Sequence, residues 1–503
     1  MNAPLPTPPL SALESLRLSN SYARLPAAFH TRLPPAPLPA PHLIAVSEDA
    51  ASLIGLDPQE AARVEFVELF AGNRLLPGAE PLAAVYSGHQ FGSWSGQLGD
   101  GRAHLLGEVD TPHGPLELQL KGAGPTPYSR FSDGRAVLRS SIREFLCSEA
   151  MAALGVPTTR ALCVIGSPLP VQREGTESAA VVTRIAPSFV RFGTFEHFSA
   201  ADDVQHLRLL ADYVIDRFRP HLRDSARPYD ALLADIAQRT GELVAHWQAI
   251  GFMHGVMNTD NMSALGLTLD YGPFAFMDSF DAGRICNHSD TWGRYAFRAQ
   301  PRIAQWNLYV LADALGPLIG HPDLTRALVD DHFQPAFDSR FAALMRQRLG
   351  FAVAQPGDDD FIGATLGLLQ LQRVDYTRFF RALSELPARV VREQRGSSDA
   401  PLRDLFADRE ACDAWLLGWR ARLAGEGSVD AQRRPAMRAA NPCYVLRNWM
   451  AESAIRRARD GDFGEVRALL DCLRRPCDER PQYAHYTAPP PDWADGLTVS
   501  CSS

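Results

Sequence analysis

The sequence predicts an α+β protein in which a small β-rich N-terminal lobe precedes a large helical C-terminal lobe. Short apolar runs and glycines alternate over residues 84–122, as in a twisted antiparallel sheet. After about residue 200, nearly every segment has helical periodicity. The exception is a stretch rich in Gly, Asn and Asp at 254–298, which we expect to form polar loops near the junction of the lobes.

Changes in composition divide the chain into four segments. Residues 1–41 are rich in proline and predict an extended strap or tail, and residues 42–200 form the β-rich lobe. Residues 201–440 form the helical lobe. Residues 441–503 form a helical extension that ends in a cysteine-containing tail.

Several elements of the β-rich lobe can be placed individually. Residues 42–55 predict a strand that leads into a helix, with Ser47 as the N-cap. Residues 103–109 and 116–121 predict two strands, joined by a turn at His113-Gly114-Pro115.

Residues 137–154 predict a helix with two different stripes. One stripe is apolar, whereas the other is small and polar, carries Glu144 and is expected to border a cleft. Further helices are predicted at 203–218, 228–250, 301–316, 322–349, 361–386, 408–424 and 443–459.

Composition and charge argue against several classes of protein. The 503 residues carry a net charge of -8, whereas dedicated nucleic-acid binders are usually basic. No run approaches the ~18 apolar residues that span a bilayer, and no secretory signal is seen at the N-terminus. The eight cysteines form no CxxC pair and predict no disulfide scaffold. We therefore expect a cytoplasmic monomer that binds neither nucleic acid nor membranes.

A glycine-rich loop, 96–102, precedes the strand at 103–109. Gly99 and Gly101 would let the backbone approach phosphate groups, and the guanidinium of Arg102 suits phosphate oxygens. A plain hairpin turn would explain the same glycines, and this alternative stays open.

Lys121 ends the second strand, and Glu144 lies on the polar stripe of the following helix. A strand lysine that binds a nucleotide phosphate and is held by a helix glutamate is the arrangement of protein kinases. A lysine at a strand end can equally extend into solvent. Between the two residues, Ser132-Asp133-Gly134-Arg135 adds a turn beside the predicted cleft.

The strongest signal is His254-Gly255-Val256-Met257-Asn258-Thr259-Asp260-Asn261, followed by Asp270-Tyr271-Gly272. Kinases have His-x-Asp-x-x-x-x-Asn and then Asp-Phe-Gly, so His254 and Asn261 fit at the kinase spacing. The position of the catalytic aspartate is Val256, whose hydrocarbon side chain cannot accept a proton. The ordinary machinery for phosphate transfer is therefore incomplete.

Asp260 is the only nearby carboxylate that could act as the base instead. Asn261 and Asp270 supply hard oxygen ligands that suit Mg²⁺ or Mn²⁺ bridging phosphates. The simpler alternative is that Asn258, Asp260 and Asn261 are turn residues that cap a helix.

With these residues, the chain resembles the selenoprotein O family of kinase-like proteins. The matching segments are Tyr86-Ser87-Gly88-His89-Gln90-Phe91-Gly92 and residues 96–102, 120–124, 132–140, 254–261, 270–274, 285–290, 441–442, 445–449 and 499–503. Members of this family are protein AMP transferases with a kinase-like two-lobe fold, and they bind ATP in a reversed orientation. Reversal would place the α-phosphate in line with the acceptor hydroxyl.

The resemblance implies roles for individual residues. Glu144 would orient the strand lysine, Asp260 would accept the proton, and Asn261 and Asp270 would bind Mg²⁺ or Mn²⁺. The residues that bind the nucleotide would be Gly99, Gly101, Arg102, Lys121, Asp133, Gly134, Arg184, Arg191 and Asp270. Without the resemblance, Arg184 and Arg191 would be interpreted as ion-pair or surface residues.

The C-terminal tail raises a redox question, because eukaryotic relatives carry selenocysteine near the C-terminus. Cys501 lies close to the end of this chain, and Cys286 lies where kinases have their activation loop. Our hypothesis is that a Cys286–Cys501 disulfide pins the tail over the site and limits activity. Two unrelated free thiols are the alternative.

The leading interpretation is an enzyme that transfers AMP from ATP, or UMP from UTP, to Ser, Thr or Tyr hydroxyls of other proteins. A kinase that transfers phosphate is disfavoured by Val256. A non-catalytic nucleotide-binding scaffold is disfavoured because it needs no complete base and metal set of Lys121, Glu144, Asp260, Asn261 and Asp270.

Overall fold

The computed structural model describes residues 10–390, 398–494 and 496–500. It confirms the α+β class, with a sheet-rich N-terminal region and a helical C-terminal part. No helix within these ranges is long and apolar enough to cross a membrane.

The N-terminal region is built around an antiparallel sheet. Its elements are β1 (His30–Arg32), β2 (His42–Val46), α1 (Glu48–Leu53), α2 (Val64–Phe70), β3 (Leu82–Ala84), β4 (Ser87–Gln90), β5 (Ser93–Gln97), β6 (Ala103–Thr111), β7 (Gly114–Lys121), β8 (Ala136–Val137), α3 (Leu138–Ala153), β9 (Arg160–Gln172) and β10 (Thr176–Ala186). The strand order is β1-β3-β6-β7-β10-β9-β2, and β8 pairs with β10. Strands β4 and β5 form a separate hairpin.

The C-terminal part consists mainly of helices around a long polar loop. Its elements are α4 (Phe192–Ala200), α5 (Val204–Phe218), α6 (Pro228–Ile250), β11 (Phe252–Met253), β12 (Ala275–Phe276), α7 (Gln300–Ile319), α8 (Pro322–Leu349), α9 (Asp358–Gln372), α10 (Tyr376–Glu385), α11 (Ala400–Arg403), α12 (Arg409–Gly425), α13 (Asp430–Ala440), α14 (Asn448–Arg459) and α15 (Gly464–Leu473). Strands β11 and β12 pair antiparallel. This pairing anchors both ends of the loop that carries the kinase-like motif.

The strands predicted at 103–109 and 116–121 are confirmed as β6 and β7, and Ser47 caps α1 by accepting the N–H of Ala50 at 3.1 Å. The helix predicted at 137–154 is confirmed as α3. Its apolar stripe packs into the core, where Ile142, Phe145, Leu146 and Ala150 are fully buried.

Two predicted helices differ in their bounds from the helices of the structure. The helix predicted at 361–386 is broken into α9 and α10, because Arg373 has left-handed backbone geometry (φ 49°) and Asp375 caps a new helix. The helix predicted at 443–459 begins only at Asn448, since Arg447 before it is extended and pairs with Asp278 at 2.7 Å. Strands β9 and β10 were not predicted, because most of their residues are buried and neither strand alternates between apolar and polar residues.

Candidate active site

A cavity of about 580 Å³ lies between the sheet and the loop that follows β11. It brings together nine of the predicted site residues: Gly99, Gly101, Arg102, Lys121, Arg184, Arg191, Asp260, Asn261 and Asp270. These residues come from both regions of the chain, so the site forms only when the sheet packs on the helical part.

The glycine-rich loop is not the turn of a plain hairpin. It connects β5 to β6, and these strands belong to different sheets, because β5 pairs with β4 whereas β6 pairs with β3 and β7. The hairpin alternative left open by the sequence is therefore wrong. The loop instead lines the cavity with Gly99, Gly101 and Arg102.

Strand register places Lys121 and Arg184 on one face of the sheet. Gln119 of β7 lies opposite Arg184 of β10, and Lys121 lies two residues further along β7. Because side chains alternate along a strand, residues two apart share a face. Gln119 accepts a hydrogen bond from the guanidinium of Arg184, which fixes that side chain beside the lysine.

Three cations converge on the carboxylate of Asp270. Lys121 Nζ lies 3.2 Å from Asp270 Oδ1, Arg191 Nη1 lies 2.6 Å from Oδ2, and Arg184 donates to Oδ1. Burial alone would raise the pKa of Asp270, but Arg191, Lys121 and Arg184 together hold it well below its usual range. Asp270 is therefore ionised at neutral pH.

Glu144 holds Lys121 from the side away from the cavity. Glu144 Oε2 lies 2.5 Å from Lys121 Nζ, and Oε1 lies 3.3 Å from Arg184 Nη1. Glu144 is buried on the polar stripe of α3, as the sequence pattern suggested. This contact confirms the predicted lysine–glutamate pair and excludes a lysine that only extends into solvent.

Arg191 links the two halves of the kinase-like loop. It immediately precedes α4 and donates from Nη1 to the carbonyl oxygen of Asp260 at 2.7 Å as well as to Asp270. Its guanidinium also lies 5.1 Å from the centre of the Tyr86 ring. Arg191 is buried, so its charge acts within the cavity rather than on the surface.

The carboxylate of Asp260 is buried and only partly satisfied. Its Oδ2 accepts from Gln90 Nε2 at 3.2 Å, whereas its Oδ1 has no hydrogen-bond partner among the described residues. Burial raises the pKa of Asp260 to about 6, although Arg191 opposes this shift. A carboxyl group that lines the cavity and has a pKa near neutrality is suited to accept a proton.

Asn258 occupies the N-cap position of the short 3-10 turn Thr259–Asn261, as the simpler alternative for this loop suggested, but its side chain makes no capping hydrogen bond. Its Oδ1 accepts from the backbone N–H of Phe91 at 3.0 Å and from the hydroxyl of Tyr295 at 2.6 Å. Asn261 donates from Nδ2 to the carbonyl oxygen of Val256 at 3.0 Å, which leaves its Oδ1 as an acceptor.

The donor set fits a divalent ion that is shared with a substrate. Within the described ranges, His, Cys, Asp and Glu form no cluster of three or more that could hold a metal ion alone. The cavity nevertheless contains the hard oxygen donors of Asn261 and Asp270. Mg²⁺ typically uses one or two such protein ligands and completes its shell with water and substrate phosphates.

Two predicted site residues, Asp133 and Gly134, lie at the rim and do not line the cavity, although Ser132 and Arg135 beside them do. Asp133 pairs with Arg173 at 2.8 Å, and this hydrogen-bonded pair lowers the pKa of Asp133.

Replacing Gly134 with alanine is expected to disturb this rim. Gly134 has φ +67°, and a Cβ there would lie 2.3 Å from the backbone of Gly124. Gly96 is a matched control, because it also has φ +67° but a Cβ added to it would meet no atom within 4 Å. We expect Gly134→Ala to weaken binding of the ATP that the family resemblance implies at least about tenfold, and Gly96→Ala to cost only the ~1 kcal/mol of left-handed backbone. Equal ATP affinities of the two variants in calorimetric titration would contradict this.

The redox hypothesis stays a prediction, because Cys501 lies outside the described residues. Cys286 lies in contact with the site loop, where its thiol donates to the carbonyl oxygen of Pro273 at 2.9 Å. Burial raises the pKa of this thiol to about 12.

For several residues of the site, the sequence alone had indicated no role. Gln90 and Tyr86 belong to the segment 86–92, which matched the family without a function attached. Asp100 lies within the glycine-rich loop, where it is buried and accepts from Gln119 Nε2 at 3.2 Å. The length of the matching segment was the one signal that pointed to Gln90.

Comparison with known proteins finds related sequences along the whole chain. A family model described as "Protein adenylyltransferase SelO" matches residues 12–474. The protein nucleotidyltransferase YdiU of Dechloromonas aromatica (strain RCB) is 62% identical over 503 residues, covering 100% of both chains. Proteins of the same name from Cupriavidus pinatubonensis and Herminiimonas arsenicoxydans are each 55% identical, with 100% of this chain and 96% and 100% of theirs covered. The chain therefore belongs to the SelO family of protein adenylyltransferases.

Proposed function

We propose that this chain transfers AMP from ATP to Ser, Thr or Tyr hydroxyls of proteins and releases pyrophosphate. The observation that carries this proposal is the convergence of Lys121, Arg184 and Arg191 on Asp270, next to the partly unsatisfied carboxylate of Asp260. The cations of the site can thus neutralise phosphate charge, and the carboxylate of Asp260 can accept a proton. Membership of the SelO family supports nucleotidyl transfer as the reaction.

The charge balance of the site favours an anionic substrate. The cavity lining carries seven cationic side chains against three carboxylates, so excess positive charge remains in a partly enclosed cavity; the cations are Arg102, Lys121, Arg130, Arg135, Arg173, Arg184 and Arg191, and the carboxylates are Asp100, Asp260 and Asp270. Triphosphate oxygens would share these cations with Asp270. Such preorganised charge stabilises both the α-phosphate and the departing pyrophosphate in the transition state.

Asp260 would take the proton of the acceptor hydroxyl. The hydroxyl oxygen then forms a bond to the α-phosphorus, and the bond between the α-phosphorus and the bridging oxygen to the β-phosphate breaks. The arginines neutralise the pyrophosphate as it leaves. Val256, at the position of the kinase aspartate, also lines the cavity but has no proton acceptor, and we assign that role to Asp260.

Asn261 and Asp270 would hold Mg²⁺ or Mn²⁺ on the phosphates. When bound, the ion supplies charge neutralisation at phosphate oxygens.

We also propose a kinase-like two-lobe arrangement, in which residues 42–200 and 201–440 form the two lobes and ATP binds in the reversed orientation. The protein would act as a cytoplasmic monomer, and UTP would serve as a second nucleotide donor, from which UMP is transferred.

Labelled nucleotides test the reaction. The protein is incubated with Mg²⁺ or Mn²⁺, a mixture of acceptor proteins, and ATP labelled at either the α- or the γ-phosphate. We expect label from the α position only in the acceptors, and α-labelled UTP tests the second donor in parallel. Label from γ would instead indicate a kinase, and no label from either position would leave only a nucleotide-binding scaffold.

The pH dependence of the transfer follows from Asp260. As a base it must be ionised, so kcat/KM is expected to fall as pH decreases through its pKa of about 6 and to level off above it. A bound metal ion would favour the ionised form, so this limb lies at about pH 6 or below. Burial lowers the pKa of His254 to about 4, which separates it from this limb. Initial rates between about pH 5 and about pH 8 check this, and a rate that rises toward acid pH would contradict it.

A further inference from the structure

The side chain of Tyr86 lines the cavity, but its hydroxyl group has no hydrogen-bond partner among the described residues. Tyr86 lies between β3 and β4, and its backbone carbonyl oxygen accepts the N–H of Leu98 at 2.9 Å. This bond fixes its backbone beside the start of the glycine-rich loop. A phenolic hydroxyl can both donate and accept a hydrogen bond, so a bound ligand can use it.

The ring of Tyr86 is held against Arg191. The guanidinium of Arg191 lies 5.1 Å from the ring centre, within the range of a cation–π contact. The same guanidinium lies 2.6 Å from the carboxylate of Asp270 and 2.7 Å from the carbonyl oxygen of Asp260. Tyr86 therefore lies where the cations proposed to bind phosphate meet the proposed base.

The surroundings of Tyr86 keep its hydroxyl protonated. Burial raises the pKa of Tyr86 above its usual range, and although Arg191 opposes this shift, the charges of nearby carboxylates reinforce it; these are Asp100, Asp260 and Asp270. At neutral pH the hydroxyl is thus a neutral group that can donate a hydrogen bond. Such a donor forms a stronger bond with an anionic oxygen than with a neutral one.

We propose that Tyr86 is a further catalytic residue whose hydroxyl donates a hydrogen bond to a non-bridging oxygen of the α-phosphate. The inference rests on the proposed function and adds to it a donor that contacts the reacting phosphoryl group. In that reaction the cations around Asp270 attract the phosphates, while Asp260 attracts the acceptor hydroxyl. The α-phosphorus must lie between the two, and Arg191, which contacts both aspartates, carries the Tyr86 ring at this point.

A phosphate oxygen is the partner that this position favours. Three cations converge on Asp270 at this end of the cavity and attract an anionic group rather than a neutral one. The acceptor hydroxyl gives its proton to Asp260 and needs no second donor. A donor that is already in place at the α-phosphate stabilises the charge of the transition state without rearrangement of the site.

Removal of one hydroxyl tests the proposal. Tyr86→Phe deletes the donor and keeps an aromatic ring against Arg191. Tyr128→Phe is the matched control, since Tyr128 also lines the cavity but its hydroxyl is hydrogen-bonded to Thr31 Oγ1 at 2.9 Å. The full-length protein and both variants are compared by kcat and KM for nucleotidyl transfer to acceptor proteins, with Mg²⁺ or Mn²⁺.

The nucleotides are ATP and the two diastereomers of ATP that carry sulfur in place of one non-bridging α-oxygen. Sulfur is a weak hydrogen-bond acceptor, so it removes the contact to the oxygen that it replaces. A residue that merely supports the fold would cause the same loss with all three nucleotides.

With ATP, we expect Tyr86→Phe to lower kcat about 10–100-fold and to change the KM for ATP less than about threefold. Tyr128→Phe should retain a kcat within about threefold of the unaltered protein. With one thio diastereomer, the further loss caused by Tyr86→Phe should shrink to less than about threefold, whereas with the other it should persist.

Three results would overturn the contact and leave the proposed function intact. They are a kcat of Tyr86→Phe equal to that of the unaltered protein, a change confined to KM, and an equal loss with ATP and both diastereomers. If the unaltered protein transferred no α-label to any acceptor, the proposed function would fail together with this inference.

Discussion

Replacing Asp260 with alanine is expected to lower the rate of AMP transfer by about 10²–10⁴-fold, the usual contribution of a general base. ATP affinity should change little, because the cations that would hold the phosphates do not depend on this carboxylate for their position. Single-turnover transfer of α-label to an acceptor protein measures the loss.

Asp260→Asn separates the chemistry from the packing. Asn has nearly the same volume but cannot accept the proton, so its loss should match that of Asp260→Ala. Asp100→Asn is the matched control, since Asp100 is also buried in the cavity lining and burial raises its pKa. Transfer by Asp260→Asn at a rate within about threefold of the unaltered protein would rule out Asp260 as the base.

Replacing Asp270 with alanine is expected to abolish transfer and also to destabilise the protein. Lys121, Arg184 and Arg191 would lose their shared partner in a largely buried site, and breaking such pairs costs about 3–5 kcal/mol. Denaturant titration without nucleotide measures this loss of stability, and α-label transfer measures the loss of activity.

Asp278→Ala is the control for loss of stability alone. Asp278 pairs with the buried Arg447 at 2.7 Å and does not line the cavity. The Asp278→Ala substitution should therefore reduce the free energy of unfolding, but the variant should still transfer AMP below its melting temperature. If Asp270→Ala retained transfer, or was as stable as the unaltered protein, the assignment of Asp270 as the hub of the phosphate site would be wrong.

The loops that carry the chemistry were predictable because their residues are close together in the sequence. His254, Asp260, Asn261 and Asp270 occupy one continuous loop, and their spacing could be compared directly with that of kinases. The pair of Lys121 and Glu144 could also be predicted from the sequence, because a strand end and a polar helix stripe each have a local pattern.

Arg184 and Arg191 could not be assigned from local pattern. Arg184 reaches the site because β10 pairs with β7 in a register that places it opposite Gln119, and register is not visible in a single sequence. Strand β10 itself was missed, since its buried run does not alternate. Only resemblance to a family supplied these residues.

Mass spectrometry of both products tests the proposed reaction most directly. A Tyr-containing acceptor peptide is incubated with ATP and Mg²⁺ or Mn²⁺, the modified residue is located by fragmentation, and the released phosphate species is identified. We predict that the hydroxyl gains the mass of AMP and that one pyrophosphate appears for each peptide modified. A hydroxyl that gains the mass of a phosphate, together with one ADP for each peptide modified, would contradict the proposal that this site transfers AMP.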